Sequence, residues 1–204
     1  LFMKDYAIIF NPTSAAGRSK KKFVLMEQTF QKLKLHYELC ETEFPGHAIK
    51  LAEQKAKEGY RVIAAGGDGT CNEVLNGVIN SDSQALLGFI PIGTGNDIPA
   101  TIGYVPYDIQ GACRIIAADH HQIADVGIAN PKHSPIRYFL GIGSQGFDAE
   151  VTKRTNEGAK WLPGTWNYIK SVITTVFRFR RQEVIVRMDT GEWKGRCNLV
   201  AVGN

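Results

Sequence analysis

Long apolar runs, clustered cysteines and strong charge are all missing from this chain of 204 residues. No stretch approaches the ~18 consecutive apolar residues that a membrane-spanning helix needs. No signal peptide is visible, and Met3-Lys4 reads as a natural start. The four cysteines, Cys40, Cys71, Cys113 and Cys197, are widely scattered. Their spacing fits neither a metal site nor a disulfide framework, so free thiols in a reducing cytosol are expected. Neither an internal repeat nor a low-complexity linker interrupts the sequence. The charge surplus is only +4, with a pI near 8.8. That suits an anionic ligand or an anionic membrane surface, and equally an ordinary cytosolic protein; a nucleic-acid partner is not expected. The pair His120-His121 reads as a surface turn rather than a metal site.

What is present is a regular alternation. Tyr6 to Phe10, Tyr37 to Cys40, Arg61 to Ala65 and Leu86 to Ile90 are short apolar runs of strand type. Between them, Phe23, Met26, Phe30, Leu33 and Tyr37 recur at steps of three and four, and His47 to Glu58 also reads as a helix, ended by Gly59. Tyr107 to Ala118 is a further helix. Alternating β and α segments imply a parallel sheet covered by helices, with ligands at the carboxyl ends of its strands. From about His121 the pattern changes. Gln122 to Ala129, Arg137 to Ile142, Glu183 to Asp189 and Arg196 to Val202 are strand-like, with a hairpin turn at Asp189-Thr190-Gly191-Glu192. The fold class expected is α/β: a parallel-sheet, Rossmann-like domain over residues 1–121, then a mainly antiparallel β domain over 122–204. A helical stretch from about Pro163 to Arg178 interrupts the second.

Three loops follow strands and should converge on one edge. Asn11-Pro12-Thr13-Ser14-Ala15-Ala16-Gly17-Arg18 offers an amide at Asn11, a tight bend at Ser14 and Gly17, and charge at Arg18; alone it reads as a turn and helix cap. Gly66-Gly67-Asp68-Gly69-Thr70 lies between strand and helix. Glycines there let backbone approach a ligand, and the helix start adds N–H groups and partial positive charge, a seat for phosphate. Asp68 would repel phosphate by itself, so it makes sense holding Mg²⁺ or orienting a hydroxyl. Thr70 and Glu73 also have capping-box spacing. Gly93-Thr94-Gly95-Asn96-Asp97 repeats the chemistry, with Asp97 as a plain helix cap in the simpler account. Together the turns suggest phosphoryl transfer from a nucleotide.

In this order, Asn11-Pro12-x-Ser14, Gly66 to Val74 and Pro91 to Asp97 resemble the diacylglycerol kinase catalytic-domain family, which includes bacterial soluble lipid kinases and sphingosine kinases. Thr42-Glu43-Phe44-Pro45-Gly46-His47-Ala48, Ala124 to Gly127 and Gly146-Phe147-Asp148-Ala149 also fit its pattern. The resemblance implies ATP and Mg²⁺ at the first domain and a β-sandwich that helps to hold a lipid. Asn11, Ser14, Thr42, Gly66, Gly67, Gly69, Thr70, Glu73, Gly93, Thr94, Gly95 and Asn96 then fall on the nucleotide side. Asp68, Asp97 and Asp125 become the acidic positions linked to metal, acceptor alcohol or the network between them.

Two departures stand out. The family often continues its third motif with Phe-Ala-Arg, where this chain has Ile98-Pro99-Ala100; Arg154 and Lys160 are candidate replacements. The resemblance also implies a glycine-rich segment, an acidic Asp-Gly motif and further strands beyond Val202-Gly203-Asn204, so the sandwich is expected to be incomplete. An open sheet edge invites association, and a homodimer is one expected outcome. Trp161 to Phe179, with Arg178, Arg180 and Arg181, reads as a helix packed on the β domain, or as peripheral contact with an anionic membrane.

The expected activity is an ATP-dependent lipid kinase, cytoplasmic and peripheral at the membrane, acting on diacylglycerol, with a sphingoid base or phosphatidylglycerol as alternatives. A soluble-metabolite kinase of the NAD kinase type shares the Gly66 to Thr70 turn but not the other two loops. A non-catalytic nucleotide- or lipid-binding regulator is the third alternative.

Overall fold

The computed structural model describes residues 4–14, 19–147, 149–151, 170, 172–176 and 179–203. The chain opens as strictly alternating β and α: β1 Lys4–Phe10, α1 Ser19–Lys32, β2 Tyr37–Glu41, α2 His47–Lys57, β3 Tyr60–Gly66, α3 Asp68–Asn80 and β4 Leu87–Pro91. The short α4, Asp97–Thr101, and α5, Ile109–Ala117, follow. The four strands form one parallel sheet in the order β2-β1-β3-β4.

Strands covered on both faces must be apolar at successive residues, not merely at alternate ones. Ala7, Ile8 and Ile9 of β1 and Val62 to Ala65 of β3 meet that condition, and all are buried. Ile9, Val62 and Ala64 face α2 and α3, where they pack with Ala48, Ala52, Cys71 and Val74. Ile8, Phe10, Ile63 and Ala65 face the other way, onto Met26 and Phe30 of α1 and Ile109 and Cys113 of α5. On the first side the helices approach unusually closely. A Cβ on Gly77 of α3 would meet the Ala52 Cβ of α2 at 2.7 Å and the Glu53 N at 3.0 Å.

The expected elements of this half are present with shifted ends. The first helix begins at Ser19, whose hydroxyl donates to the Pro12 carbonyl at 2.7 Å. It stops before Tyr37, which opens β2 and packs its ring edgewise on Phe30. The five-residue α4 is an addition. Its Pro99 falls in the first turn, where a missing N–H costs no helical bond.

After α5 come β5 Gly127–Ala129, β6 Arg137–Phe139, β7 Ile142–Gly146, β8 Gln182–Met188, β9 Gly191–Cys197 and β10 Leu199–Gly203. They form three antiparallel pairs, β5–β6, β7–β10 and β8–β9. The hairpin expected at Asp189 to Glu192 joins β8 to β9. Three strand-like segments are shorter or broken. Residues 122–126 are not strand. Arg137 to Ile142 is split at Gly141, which turns the chain with φ 84°. Arg196 to Val202 is split at Asn198, whose carbonyl leaves the ladder to accept the Phe147 N–H at 2.8 Å.

The chain divides into two compact units, one reaching Gly141 and the other Ile142–Gly203, whereas the pattern of the sequence changes at His121. The hairpin β5–β6 belongs to the first unit. Asn76, fully buried in α3, donates from Nδ2 to the Tyr138 carbonyl and accepts the Tyr138 N–H on Oδ1, both at 2.9 Å. A side-chain amide thus pairs with β6 as a neighbouring strand would. In the second unit, residues 172–176 are helical. Trp161 to Ile169, Phe177 and Arg178 lie outside the described residues, as do Ala15 to Arg18, Asp148, Arg154 and Lys160. Among the described residues no helix is long and apolar enough to cross a membrane.

Candidate active site

All four strands of the parallel sheet deliver their carboxyl ends to one cleft of about 380 Å³. Asn11 follows β1, Thr42 follows β2, Gly67 follows β3 and Gly93 follows β4, and each lines it. The backbone ladder runs right up to the rim: Asn11 N–H donates to the Ala65 carbonyl at 3.2 Å, and Thr42 N–H to the Phe10 carbonyl at 2.9 Å.

The two glycine turns cross there. Gly93 N–H donates to the Gly66 carbonyl at 3.0 Å, and a Cβ on Gly93 would run into the Gly67 Cα. Only glycine at 93 permits backbone to pass backbone this closely. Gly66 serves a different purpose. A Cβ on it would meet the Thr70 Cβ at 2.5 Å, so its absence lets Thr70 fold back under the turn. Around Gly69 there is open space. The first helical bond of α3 is Cys71 N–H to the Gly67 carbonyl, so the preceding N–H groups of the turn have no helical acceptor. Together with the helix dipole they make the glycine end of the cleft an anion seat.

The first loop is locked to the second. Asn11 donates from Nδ2 to the Thr70 hydroxyl at 3.2 Å, and its Oδ1 accepts both the Thr13 N–H at 3.0 Å and the Thr13 hydroxyl at 2.9 Å. Ser14 donates its hydroxyl to the Asn11 carbonyl at 2.9 Å. Both residues line the cleft, with their side chains already committed to the turn. Glu73 departs from the capping box that its spacing suggested. α3 starts at Asp68 with Gly67 as its N-cap, so Thr70 is already inside the helix. Glu73 instead reaches across to α2, where its Oε1 accepts the Gly46 N–H at 2.9 Å. That bond holds the Thr42 to Ala48 wall against α3.

The third loop is braced by four side chains. Lys22 of α1 donates from Nζ to the Ile92 and Gly93 carbonyls at 2.7 and 2.9 Å. Tyr107 donates its hydroxyl to the Thr94 carbonyl at 2.6 Å. Asn96, in the left-handed region at φ 65°, donates from Nδ2 to the Gly93 carbonyl at 3.1 Å. Three successive carbonyls are thereby occupied. Asp68 supplies the last brace. Its Oδ2 accepts the Asn96 N–H and its Oδ1 the Ile98 N–H, both at 2.9 Å. The cap of α4 is therefore the carboxylate of Asp68, not that of Asp97. Burial, reinforced by the Asp68 charge, pushes the neighbouring Cys71 thiol up, so it stays protonated at neutral pH.

Of the expected site residues, Asn11, Ser14, Thr42, Gly67, Gly69, Thr70, Glu73, Gly93 and Thr94 line the cleft. Gly66, Asp68, Gly95 and Asn96 stand behind or beside it in the crossing turns. Asp97 is exposed at the start of α4, and Asp125 is exposed in the stretch leading to β5, neither lining the cleft. Thr13, Glu43, Phe44, Pro45 and Ala48 are additional lining residues. The strand-to-helix position of Thr42 to Ala48 was the available signal for most of them.

The donor set fits Mg²⁺ bound with nucleotide phosphates. A Cβ on Gly95 would stand 2.7 Å from Asp68 Oδ2 and 3.5 Å from Asp97 Oδ2, so two carboxylate oxygens border one gap that glycine leaves open. Mg²⁺ commonly takes one or two carboxylates and completes its shell with water and substrate phosphate. Among the described residues no cluster of three His, Cys, Asp or Glu could hold a metal unaided. A second cavity, about 500 Å³, is lined by Leu75, Leu86, Phe89, Ile102, Tyr104 and Leu140 among others, and lacks the crossed glycine turns that would receive phosphate.

Known proteins share this sequence pattern and fold. A diacylglycerol kinase of Staphylococcus aureus (strain MRSA252) is 33% identical over 203 residues, 98% of this chain and 62% of the relative. A diacylglycerol kinase of Staphylococcus haemolyticus (strain JCSC1435) is 32% identical over 199 residues, 96% of this chain and 58% of the relative. The chain thus spans about 60% of the length of these curated relatives. A crystal structure of a diacylglycerol kinase from Bacillus anthracis str. Sterne superposes with a TM-score of 0.70 at 25% identity, covering 100% of this chain and 65% of that one. The model of the diacylglycerol kinase catalytic domain matches residues 5–129, the stretch that contains every strand, turn and carboxylate of the cleft. On that match the chain belongs to the diacylglycerol kinase catalytic-domain family.

Proposed function

We propose that this protein is an ATP-dependent lipid kinase that transfers the γ-phosphoryl group to a hydroxyl of a membrane lipid, with diacylglycerol, giving phosphatidate, as the first acceptor to test. The observation that carries the reading is the crossing of the Gly66 to Thr70 and Gly93 to Asp97 turns at the carboxyl edge of the sheet. It brings an anion seat and two carboxylates into one place, in a chain whose relatives are named diacylglycerol kinases.

Phosphoryl transfer through a loose transition state asks mainly for positioning and charge neutralisation. The N–H groups of the α3 turn would hold phosphate, and the braces from Lys22, Tyr107 and Asn96 would keep the third loop in place. Asp68 and Asp97 would hold Mg²⁺, which when bound neutralises charge on the transferring phosphate. The proton of the acceptor hydroxyl would go to a carboxylate that the cation leaves free. The acceptor is membrane-bound, so the enzyme must meet a lipid surface at least transiently.

The test is transfer from γ-labelled ATP, by the complete gene product, to mixed vesicles carrying diacylglycerol, a sphingoid base or phosphatidylglycerol. Labelled phosphatidate that is lost in Asp97→Asn supports the reading. Label in one of the other two lipids alone changes the acceptor. No labelled lipid, with label transferred to a soluble acceptor such as NAD, overturns it.

A further inference from the structure

The nucleotide cleft has two chemically different ends. One is the crossed glycine turns. The other is the wall between β2 and α2, where Phe44, Pro45 and Ala48 line the same space beside Thr42 and Glu43. Phe44 is 49% exposed and belongs to neither core cluster. Its ring is nonetheless held firmly. It stacks on the His47 imidazole, with centroids 4.6 Å apart and planes 6° from parallel. The imidazole is itself fixed, because its Nδ1 accepts the Glu43 N–H at 3.2 Å. The turn beneath is pinned by the bond from Gly46 N–H to Glu73. An aromatic ring locked in orientation, half open to solvent and lining a cleft whose other end seats anions, has the form of a stacking surface.

We propose that Phe44 is the platform on which the purine base of the nucleotide stacks, with the phosphates directed to the glycine end. The inference rests on the nucleotide reading of the cleft and deepens it. Stacking needs only a π face, so it supplies affinity for purines without distinguishing adenine from guanine. Lys50 lies over the ring with Nζ 5.9 Å from its centroid, so a base stacking on that face would displace its ammonium. Hydrogen bonds that choose between bases would have to come from Thr42 or Glu43 at the edge of the platform. The competing account is that Phe44 merely packs on the first turn of α2 through His47 and Lys50, as a hydrophobic staple does. Leucine would do that as well as phenylalanine, and leucine has no π face.

The experiment is calorimetric titration of the complete gene product with ATP, GTP and tripolyphosphate, each with Mg²⁺, for wild type, Phe44→Leu, Phe44→Ala and Phe44→Trp. We expect Phe44→Ala and Phe44→Leu to bind ATP and GTP roughly tenfold more weakly. Phe44→Trp should keep or improve both, and tripolyphosphate should bind all four proteins equally. Wild-type affinity for ATP in Phe44→Leu would overturn the platform and leave the staple. So would a parallel loss of ATP and tripolyphosphate. A wild-type protein that binds tripolyphosphate but neither nucleotide would overturn the nucleotide reading, and the platform with it.

Discussion

In β3 every residue from Val62 to Gly66 is buried, and its neighbours β1 and β4 are nearly as closed. In the second unit Ile142, Ile185, Leu199 and Val202 stand 76%, 48%, 47% and 56% exposed. The strands of the first unit form one sheet of four with helices on both faces. Those of the second form two-stranded pairs, and a pair by itself is marginal in water. The same kind of apolar strand residue therefore carries weight in one region and little in the other. The frame of the cleft comes from the first unit.

The largest effects should separate the two regions in stability. Ile8→Ala removes a fully buried side chain from between β1 and α1 and should cost about 2–5 kcal/mol. Ile185→Ala removes an exposed one and should stay within about 0.5 kcal/mol. Urea melts of the two variants measure both, and equal losses would erase the comparison. Next comes the frame of the cleft. Gly93→Val forces the crossing turns apart, and misplacement of about 1 Å should lower transfer on the order of a hundredfold, with the far-ultraviolet spectrum unchanged. Lys22→Met should be milder. It frees the Ile92 carbonyl, leaves the Gly93 carbonyl to Asn96 alone and keeps the turns crossed, and should raise the KM for ATP roughly tenfold with a smaller change in kcat.

The smallest effect concerns an ion pair far from the cleft. Lys55, packed over Tyr60, bridges Glu38 and Glu58 at 2.7 and 2.9 Å. The hydrogen bond from Lys55, then that from Tyr60, holds the Glu38 carboxyl below its ordinary value. A carboxyl lowered on folding contributes stability above its unfolded value, and that contribution is lost as pH falls through the lowered one. Lys55 is raised, chiefly by its bond to Glu38, so its part is present throughout the neutral range and fades only at very alkaline pH. The Glu38 side chain is 44% exposed, so solvent screening keeps the acid-side loss within about 1 kcal/mol. Chemical denaturation of wild type and Lys55→Met should show a constant difference from neutral pH down to the ordinary carboxyl value, and a shrinking one below it as Glu38 takes its proton.

The frame of the first unit was legible because its signals are local. Apolar runs such as Arg61 to Ala65, helical spacing at Met26 and Phe30, and glycines placed directly after strands require no knowledge of distant partners. What escaped is made of contacts between elements. Lys22 sits in the polar run Ser19-Lys20-Lys21-Lys22, and nothing beside it marks it as the brace of a loop some seventy positions on. Glu73 has the spacing of a capping box yet bonds across to Gly46, because α3 begins two residues before Thr70. Asp68 read as holding Mg²⁺ or orienting a hydroxyl, but it also caps α4, a helix too short for any periodicity to announce. The broken strands around Gly141 and Asn198 follow the same rule. β7 pairs with β10 across a long stretch of chain, and such a partner sets strand ends that composition does not.

The measurement that tests the account most directly is a crystal structure of the protein with a non-hydrolysable ATP analogue and Mg²⁺. The account predicts phosphate density against the backbone N–H groups from Gly67 to Thr70, beside the Gly93 to Gly95 turn, with the cation near Asp68 and Asp97. Density in the apolar cavity beside Leu86 and Phe89 instead, or an analogue whose phosphates lie away from both glycine turns, would contradict it.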